Sequence, residues 1–161
     1  MASILNRYFD PRALCLRISA RTAEEVITQL AAKLEEIGTV KPSYRSAVIS
    51  REAEIPTGLP LAEDLAVAVP HTDREHVLRP GFGLATLVEP VPFRSMDNPD
   101  AELPVRVVFA LAVTDKNEQI DMLQAVAALL QDAPNVRRIA DATSVSEILG
   151  AFDFVATVLE G

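Results

Sequence analysis

The sequence predicts an α/β fold, a single domain over residues 1–161 in which a mixed β-sheet carries helices on both faces as a three-layer α/β/α sandwich. Two short runs, 65–69 and 105–113, are apolar almost throughout, so neither face of such a strand can stay in water. Segments with helical spacing of apolar residues stand before and after these runs and supply the covering layers. Four strand-like runs in the middle of the chain follow one another without a helix between them, which requires some antiparallel pairing. With 161 residues, 49% of them hydrophobic and 24% charged, the chain has the composition of an ordinary globular domain with a sizeable core.

The first predicted strand is 13–18. Thr22 is an N-cap, with Glu25 completing a capping box. The helix that follows places Val26, Ile27, Leu30, Leu34 and Ile37 at helical spacing and stops at Gly38. Pro42 suits the first turn of a second helix, which residues 43–53 continue. The stretch "IPTGLPL" reads as loop, because Pro56, Gly58 and Pro60 break regular structure. Residues 65–69 form a central strand that Pro70 ends. "RPG" at 79–81 is a turn. Residues 83–88 and 91–94 read as separate strands, the second an edge or hairpin arm because prolines flank it. "SMDNPDAEL" is a polar loop, and 105–113 is the strongest strand signal in the chain. Asp115 or Asn117 caps the next helix, with Ile120, Leu123, Val126, Ala127 and Leu130 as its core face. Pro134 opens a short helix through Ile139. Ser144 and Glu147 cap the last one, over Ile148, Leu149 and Phe152.

Aromatic residues make up 5% and tryptophan is absent, so the core is built from Val, Leu, Ile and Ala, with no stacking platform for nucleic-acid bases. A net charge of −8 without a Lys/Arg cluster argues against nucleic acid and anionic membranes, and suits a protein partner with a basic face. Cys15, the only cysteine, lies in the apolar run "ALCLRI" and reads as a core thiol; a chain without intramolecular disulfides fits a reducing cytoplasm. The N-terminal residues lack the apolar core of a signal peptide. The longest charge-free apolar run, 107–113, is too short to span a bilayer.

Chemistry concentrates in "EDLAVAVPHTDREHV", which holds both histidines, His71 and His76, with Asp73 and Glu75 beside them. The phosphate-cradling glycine loops and the GxSxG nucleophile motif are absent. As metal ligands, His71, Asp73, Glu75 and His76 offer N and O donors. The two histidines, however, are five apart and would face different sides of a helix. As a nucleophile, His71 stands better: it follows the end of an apolar, central strand, where open α/β sheets place their sites, and Pro70 fixes the backbone before it. A neutral imidazole can accept a phosphoryl group and pass it on, given positioning and a cation such as arginine for the phosphoryl oxygens.

The segment "SREAEIPTGLPLAEDLAVAVPH" resembles the active-site segment of the enzyme IIA proteins of the sugar phosphotransferase system (PTS), of the mannitol/fructose type, in Arg51-Glu52, Thr57-Gly58 and the strand ending Pro70-His71. The continuation "HTDREHVLRPGFGLATLVEPVPFRSM" resembles the galactitol-type branch, and "LPVRVVFALAVTDKNEQIDMLQAVAALLQD" the strand and helix that follow the family's active site. The likeness runs over about 13–154. It implies a type 2 IIA domain and a phosphotransferase activity without cofactor or bound metal. His71 would be phosphorylated on Nε2 and Arg51 would stabilise the phosphoryl group; Thr57 is either a further site residue or a turn hydroxyl. Phosphorylated HPr would be the donor and a cysteine of a IIB protein the acceptor, beside a membrane IIC permease and without membrane insertion of this chain. The sequence departs from the family twice. Leu65-Ala66 stands where Gly-Ile or Gly-Val is common. Gln119 stands where many members carry a second active-site histidine, a role that His76 could take instead. Two other functions remain open: a IIA-like regulatory module that senses phosphorylation state by docking, and a metal-dependent hydrolase using His71, Asp73 and His76.

Overall fold

Strands that are apolar on both sides need cover on both sides, and the computed structural model provides it. It describes residues 3–114 and 120–160, from 154 onward by the backbone alone. Five strands, β1 (Phe9–Ile18), β2 (Gly58–Ala62), β3 (Leu65–Ala68), β4 (Gly81–Arg94) and β5 (Glu102–Ala112), form one sheet in the order β1-β4-β5-β3-β2. β1 runs parallel to β4 and β3 parallel to β5, whereas β4–β5 and β2–β3 are antiparallel. Helices α2 (Ala23–Glu36) and α3 (Tyr44–Glu54) cover one face. Helices α1 (Ile4–Tyr8), α4 (Ile120–Leu130), α5 (Ala133–Asp141) and α6 (Val145–Glu160) cover the other. The α/β/α sandwich with a mixed sheet is therefore the architecture found. Among the described residues no helix is long and apolar enough to cross a membrane.

Alternation along β3 divides its side chains between the two layers. Leu65 and Val67 join the core under α4, α5 and α6, and Ala66 and Ala68 join the one under α2 and α3. All four residues of β3 are buried, as expected of a strand with a neighbour on each side. Cys15 is buried in the same core as α2, and that burial pushes its thiol pKa up.

The helix signals of the first half are realised closely. The Thr22 side chain accepts from the Glu25 amide at 3.1 Å, while the Glu25 carboxylate reaches back to the Arg21 amide at 2.6 Å, one residue earlier than a standard capping box. Gly38 takes a φ of +78°, the left-handed conformation that ends α2 without a Cβ penalty. Pro42 falls just outside α3, whose cap residue is Ser43.

Three readings need correction, and one helix was not expected. The "IPTGLPL" stretch is not all loop, because β2 begins at Gly58 and pairs with β3 as an outer strand. Pro60 is tolerated there since one side of an outer strand needs no ladder donor. The two strands expected at 83–88 and 91–94 are one strand, β4, with a register shift between Thr86 and Val91 that absorbs Pro90. Helix α1, capped by the Ser3 hydroxyl, is too short for its apolar period to stand out. In α4 the buried residues are Met122, Ala125, Val126 and Leu129, whereas Ile120 and Leu123 are exposed. That helix is apolar nearly all round, so its period does not single out one face. The caps expected at Asp115 or Asn117 lie outside the described residues.

Candidate active site

Because β3 and β5 are parallel, their C-terminal ends reach the same edge of the sheet, and His71 leaves the sheet there. Pro70 has no N–H to continue a ladder, but its carbonyl still accepts from the Leu111 amide at 2.9 Å, which pins the exit from β3 to β5. The His71 ring, half-buried, folds back on its own strand with Nδ1 2.8 Å from the Val69 carbonyl oxygen. A carbonyl can only accept, so Nδ1 carries the proton in this arrangement. The neutral ring then keeps its lone pair on Nε2.

Val69, the residue after β3, is also held from its amide side. The Thr57 hydroxyl accepts from the Val69 N–H at 3.0 Å and donates to Glu52 Oε1 at 2.8 Å. Glu52 Oε2 accepts from the Thr57 amide at 2.8 Å. Thr57 and Glu52 are both buried. Gly58, next to Thr57, is a position for glycine alone: a Cβ there would stand 2.5 Å from the Arg94 carbonyl oxygen, a backbone atom. Nearby, the Arg94 guanidinium donates to the Ala53 carbonyl at the end of α3.

Burial raises the Glu52 carboxyl above its ordinary pKa; the Thr57 donors, His71 and Arg94 pull it the other way without cancelling the effect. For an acid with a raised folded-state pKa, the associated stability is fully present below the unfolded value of 4.5 and is lost as pH rises through the folded value. Glu52→Gln abolishes that loss. Urea unfolding midpoints of the two proteins, compared from about pH 4.5 to about pH 8, are therefore expected to shift in the variant's favour as pH rises. A difference independent of pH would contradict the raised pKa.

Arg51, one residue before Glu52 on α3, points to the His71 loop and donates to Asp73 at 2.7 Å. The cation therefore pairs with an acid two positions past His71, not with one on its own helix. His76 closes a 3-10 turn, Arg74–His76, and its Nδ1 lies 2.8 Å from the Ser43 hydroxyl. That hydroxyl makes no cap bond to α3. The His76 carbonyl accepts from the Lys41 amide at 2.9 Å, and Val77 pairs with Val40. His76 is thus half-buried and ties the loop to the α2–α3 connection. Among the described residues no three His, Cys, Asp or Glu side chains form a group that could hold a metal ion. Gln119 lies outside the described residues.

Of the sequence candidates, then, Thr57 and His71 both bond Val69, Arg51 reaches Asp73 in the His71 loop, and His76 is turned to Ser43. Glu52 was not among them. Its place beside Arg51 in the quoted motif was the only available signal, and nothing local marks it as buried.

The chain matches the family described as "Phosphoenolpyruvate-dependent sugar phosphotransferase system, EIIA 2" over residues 7–154. It is 32% identical over 114 residues to the galactitol-specific EIIA component of the PTS of Escherichia coli (strain K12), covering 71% of this chain and 75% of that protein. It is 34% identical over 146 residues to the 2-O-alpha-mannosyl-D-glycerate-specific EIIABC component of the same organism, covering 88% of this chain and 21% of that longer protein. Among solved structures it is similar to IIA mannitol from Escherichia coli, with a TM-score of 0.70 at 29% identity over 89% of this chain and 97% of that one. The complex of enzyme IIA mannitol with phosphorylated enzyme IIB mannitol from Escherichia coli matches with a TM-score of 0.74 at 28% identity, over 91% and 99% of the two chains.

Proposed function

The chain belongs to the EIIA 2 family of the phosphoenolpyruvate-dependent sugar phosphotransferase system, and from that premise we propose that His71 is the residue that carries the phosphoryl group. EIIA components are phosphotransferase relay proteins, so the site must accept a phosphoryl group and give it up again. The observation that carries the proposal is the Nδ1 contact to the Val69 carbonyl. It leaves Nε2 unprotonated and turned away from its own strand, at the end of β3 where the sheet opens.

The Nε2 lone pair attacks the phosphorus of a phosphohistidine on HPr. The new Nε2–P bond forms as the donor N–P bond breaks, and the donor ring leaves with the bonding pair. The proton on Nδ1 stays in place throughout. In the second half a cysteine thiolate of a IIB protein attacks the same phosphorus, an S–P bond forms, and His71 is released neutral. The complex formed by the mannitol relative supports a IIB acceptor. Arg51 keeps free N–H groups beyond the one given to Asp73, and these suit the equatorial phosphoryl oxygens. Thr57 assists through Val69. Gln119 contributes at most an amide donor, since it cannot carry charge. The setting is the cytoplasm, beside a membrane IIC permease, and the similarity to the galactitol component favours a galactitol-like uptake system.

The test is reconstitution. With phosphoenolpyruvate, enzyme I and HPr, the intact protein should gain one phosphoryl group, labile in acid and stable in alkali, and lose it on addition of a IIB protein. A protein that stays unmodified while a known IIA is labelled in parallel would overturn the reading.

His76 separates the carrier from a metal hydrolase. As a metal ligand it would be indispensable, because Asp73 and Glu75 alone hold a borderline ion poorly. As a tie between the loop and Ser43 it contributes about 1 kcal/mol of stability and no chemistry. His76→Ala is therefore expected to phosphorylate within a few-fold of the wild-type rate, with chelator having no effect. Complete loss in the variant, matched by chelator treatment of the wild type, would favour the metal site.

A further inference from the structure

Glu52 is buried, and both of its oxygens accept hydrogen bonds from Thr57, one from an N–H and one from an O–H. Two accepting oxygens are the signature of an ionised carboxylate. A buried charge is costly without a partner, and among the described residues no cation lies within ion-pair distance of it: Arg51 is given to Asp73, and Arg94 donates to the Ala53 carbonyl. Simple capping of the 55–58 turn would be served as well by a neutral amide. The hydrogen-bond directions indicate where the charge acts instead. A hydroxyl has one proton, and that of Thr57 goes to Glu52, so its oxygen is left to accept from the Val69 N–H. Val69 in turn accepts from His71 Nδ1 through its carbonyl.

We propose that Glu52 is a positioning residue for phosphoryl transfer: through Thr57 and the backbone of Val69, its buried carboxylate holds the His71 ring with Nδ1 protonated and offsets the positive charge the ring acquires as Nε2 takes the phosphoryl group. This rests on the assignment of the phosphoryl group to His71. The chemistry is that of a carboxylate behind a catalytic imidazole, which fixes the tautomer and stabilises the imidazolium. Here the carboxylate acts from two links away. Thr57 is the obligatory middle of the chain, because a donor and acceptor in one group is needed between a carboxylate and an N–H.

The experiment measures the single-turnover rate of phosphorylation of the full chain by phosphorylated HPr over a range of donor concentrations, together with the imidazole ¹⁵N spectrum of His71. Glu52→Gln and Thr57→Val are expected to reach the wild-type endpoint of one phosphoryl group, but with the maximal rate lowered about tenfold. The donor concentration at half-maximal rate should be unchanged. The ¹⁵N signals should move from a dominant Nδ1–H form toward a mixture of tautomers. Thr57→Ser, which keeps the hydroxyl, should restore both rate and spectrum. A purely structural role predicts a loss of folded protein with an unaltered ¹⁵N pattern and rate in the folded fraction. That result, or a wild-type rate in Glu52→Gln, overturns the proposal. If Glu52→Gln fails to fold, the Thr57→Val and Thr57→Ser pair decides by the same criteria. His71→Gln is run alongside. Label surviving in it removes the phosphoryl group from His71, whereas label lost there with a normal rate in Glu52→Gln removes only the role of Glu52.

Discussion

His71→Gln is expected to abolish phosphorylation outright, with incorporation falling from one phosphoryl group per chain to none. The glutamine nitrogen is conjugated with its carbonyl and has no lone pair to offer phosphorus. Its NH₂ can still donate toward the Val69 carbonyl, as Nδ1 does. The ring it replaces is only half-buried and makes that one hydrogen bond, so the fold should lose no more than about 1 kcal/mol. The variant is thus expected to be a folded protein without the proposed nucleophile. The readouts are intact mass after incubation with the phosphoenolpyruvate-driven donor system, and urea unfolding to establish that the fold persists. Acid-labile label remaining on folded His71→Gln would place the phosphoryl group elsewhere in the chain.

Arg51→Lys is expected to slow transfer by roughly tenfold or more, equivalent to about 1.4 kcal/mol or more of transition-state stabilisation. Lysine keeps the charge and can keep the pair with Asp73, which lies 2.7 Å from the present guanidinium. It loses the planar fork whose remaining donors can meet two phosphoryl oxygens while one nitrogen stays with Asp73. The ion pair is exposed on its Asp73 side, so its contribution to stability is under about 1 kcal/mol and the fold should tolerate the change. Single-turnover rates beside an unfolding curve separate the two effects. An unchanged rate at full stability would leave Arg51 as no more than a tether for the His71 loop.

What the sequence by itself determined is what short-range physics writes into neighbouring residues. The Thr22 cap and the Gly38 stop of α2, the apolar run of β3, the termination at Pro70 and the display of His71 beyond it all follow from interactions within a few positions. So did the layered class, because strands apolar on both faces demand cover on both. The tertiary structure alone decided matters that depend on distant partners. Gly58 starts a strand only because Ala68 of β3 is there to pair with it. Helix α4 buries Met122 and Ala125 and leaves Ile120 and Leu123 exposed because the neighbouring helices, not its own period, choose the face. His76 turned from solvent to Ser43, a contact across 33 positions. Glu52 and Glu54 look alike in the sequence, yet only Glu52 is buried with its carboxylate against Thr57. Which acid loses its water is settled by the tertiary surroundings of each, and burial acts on every group inside a contact regardless of its separation along the chain.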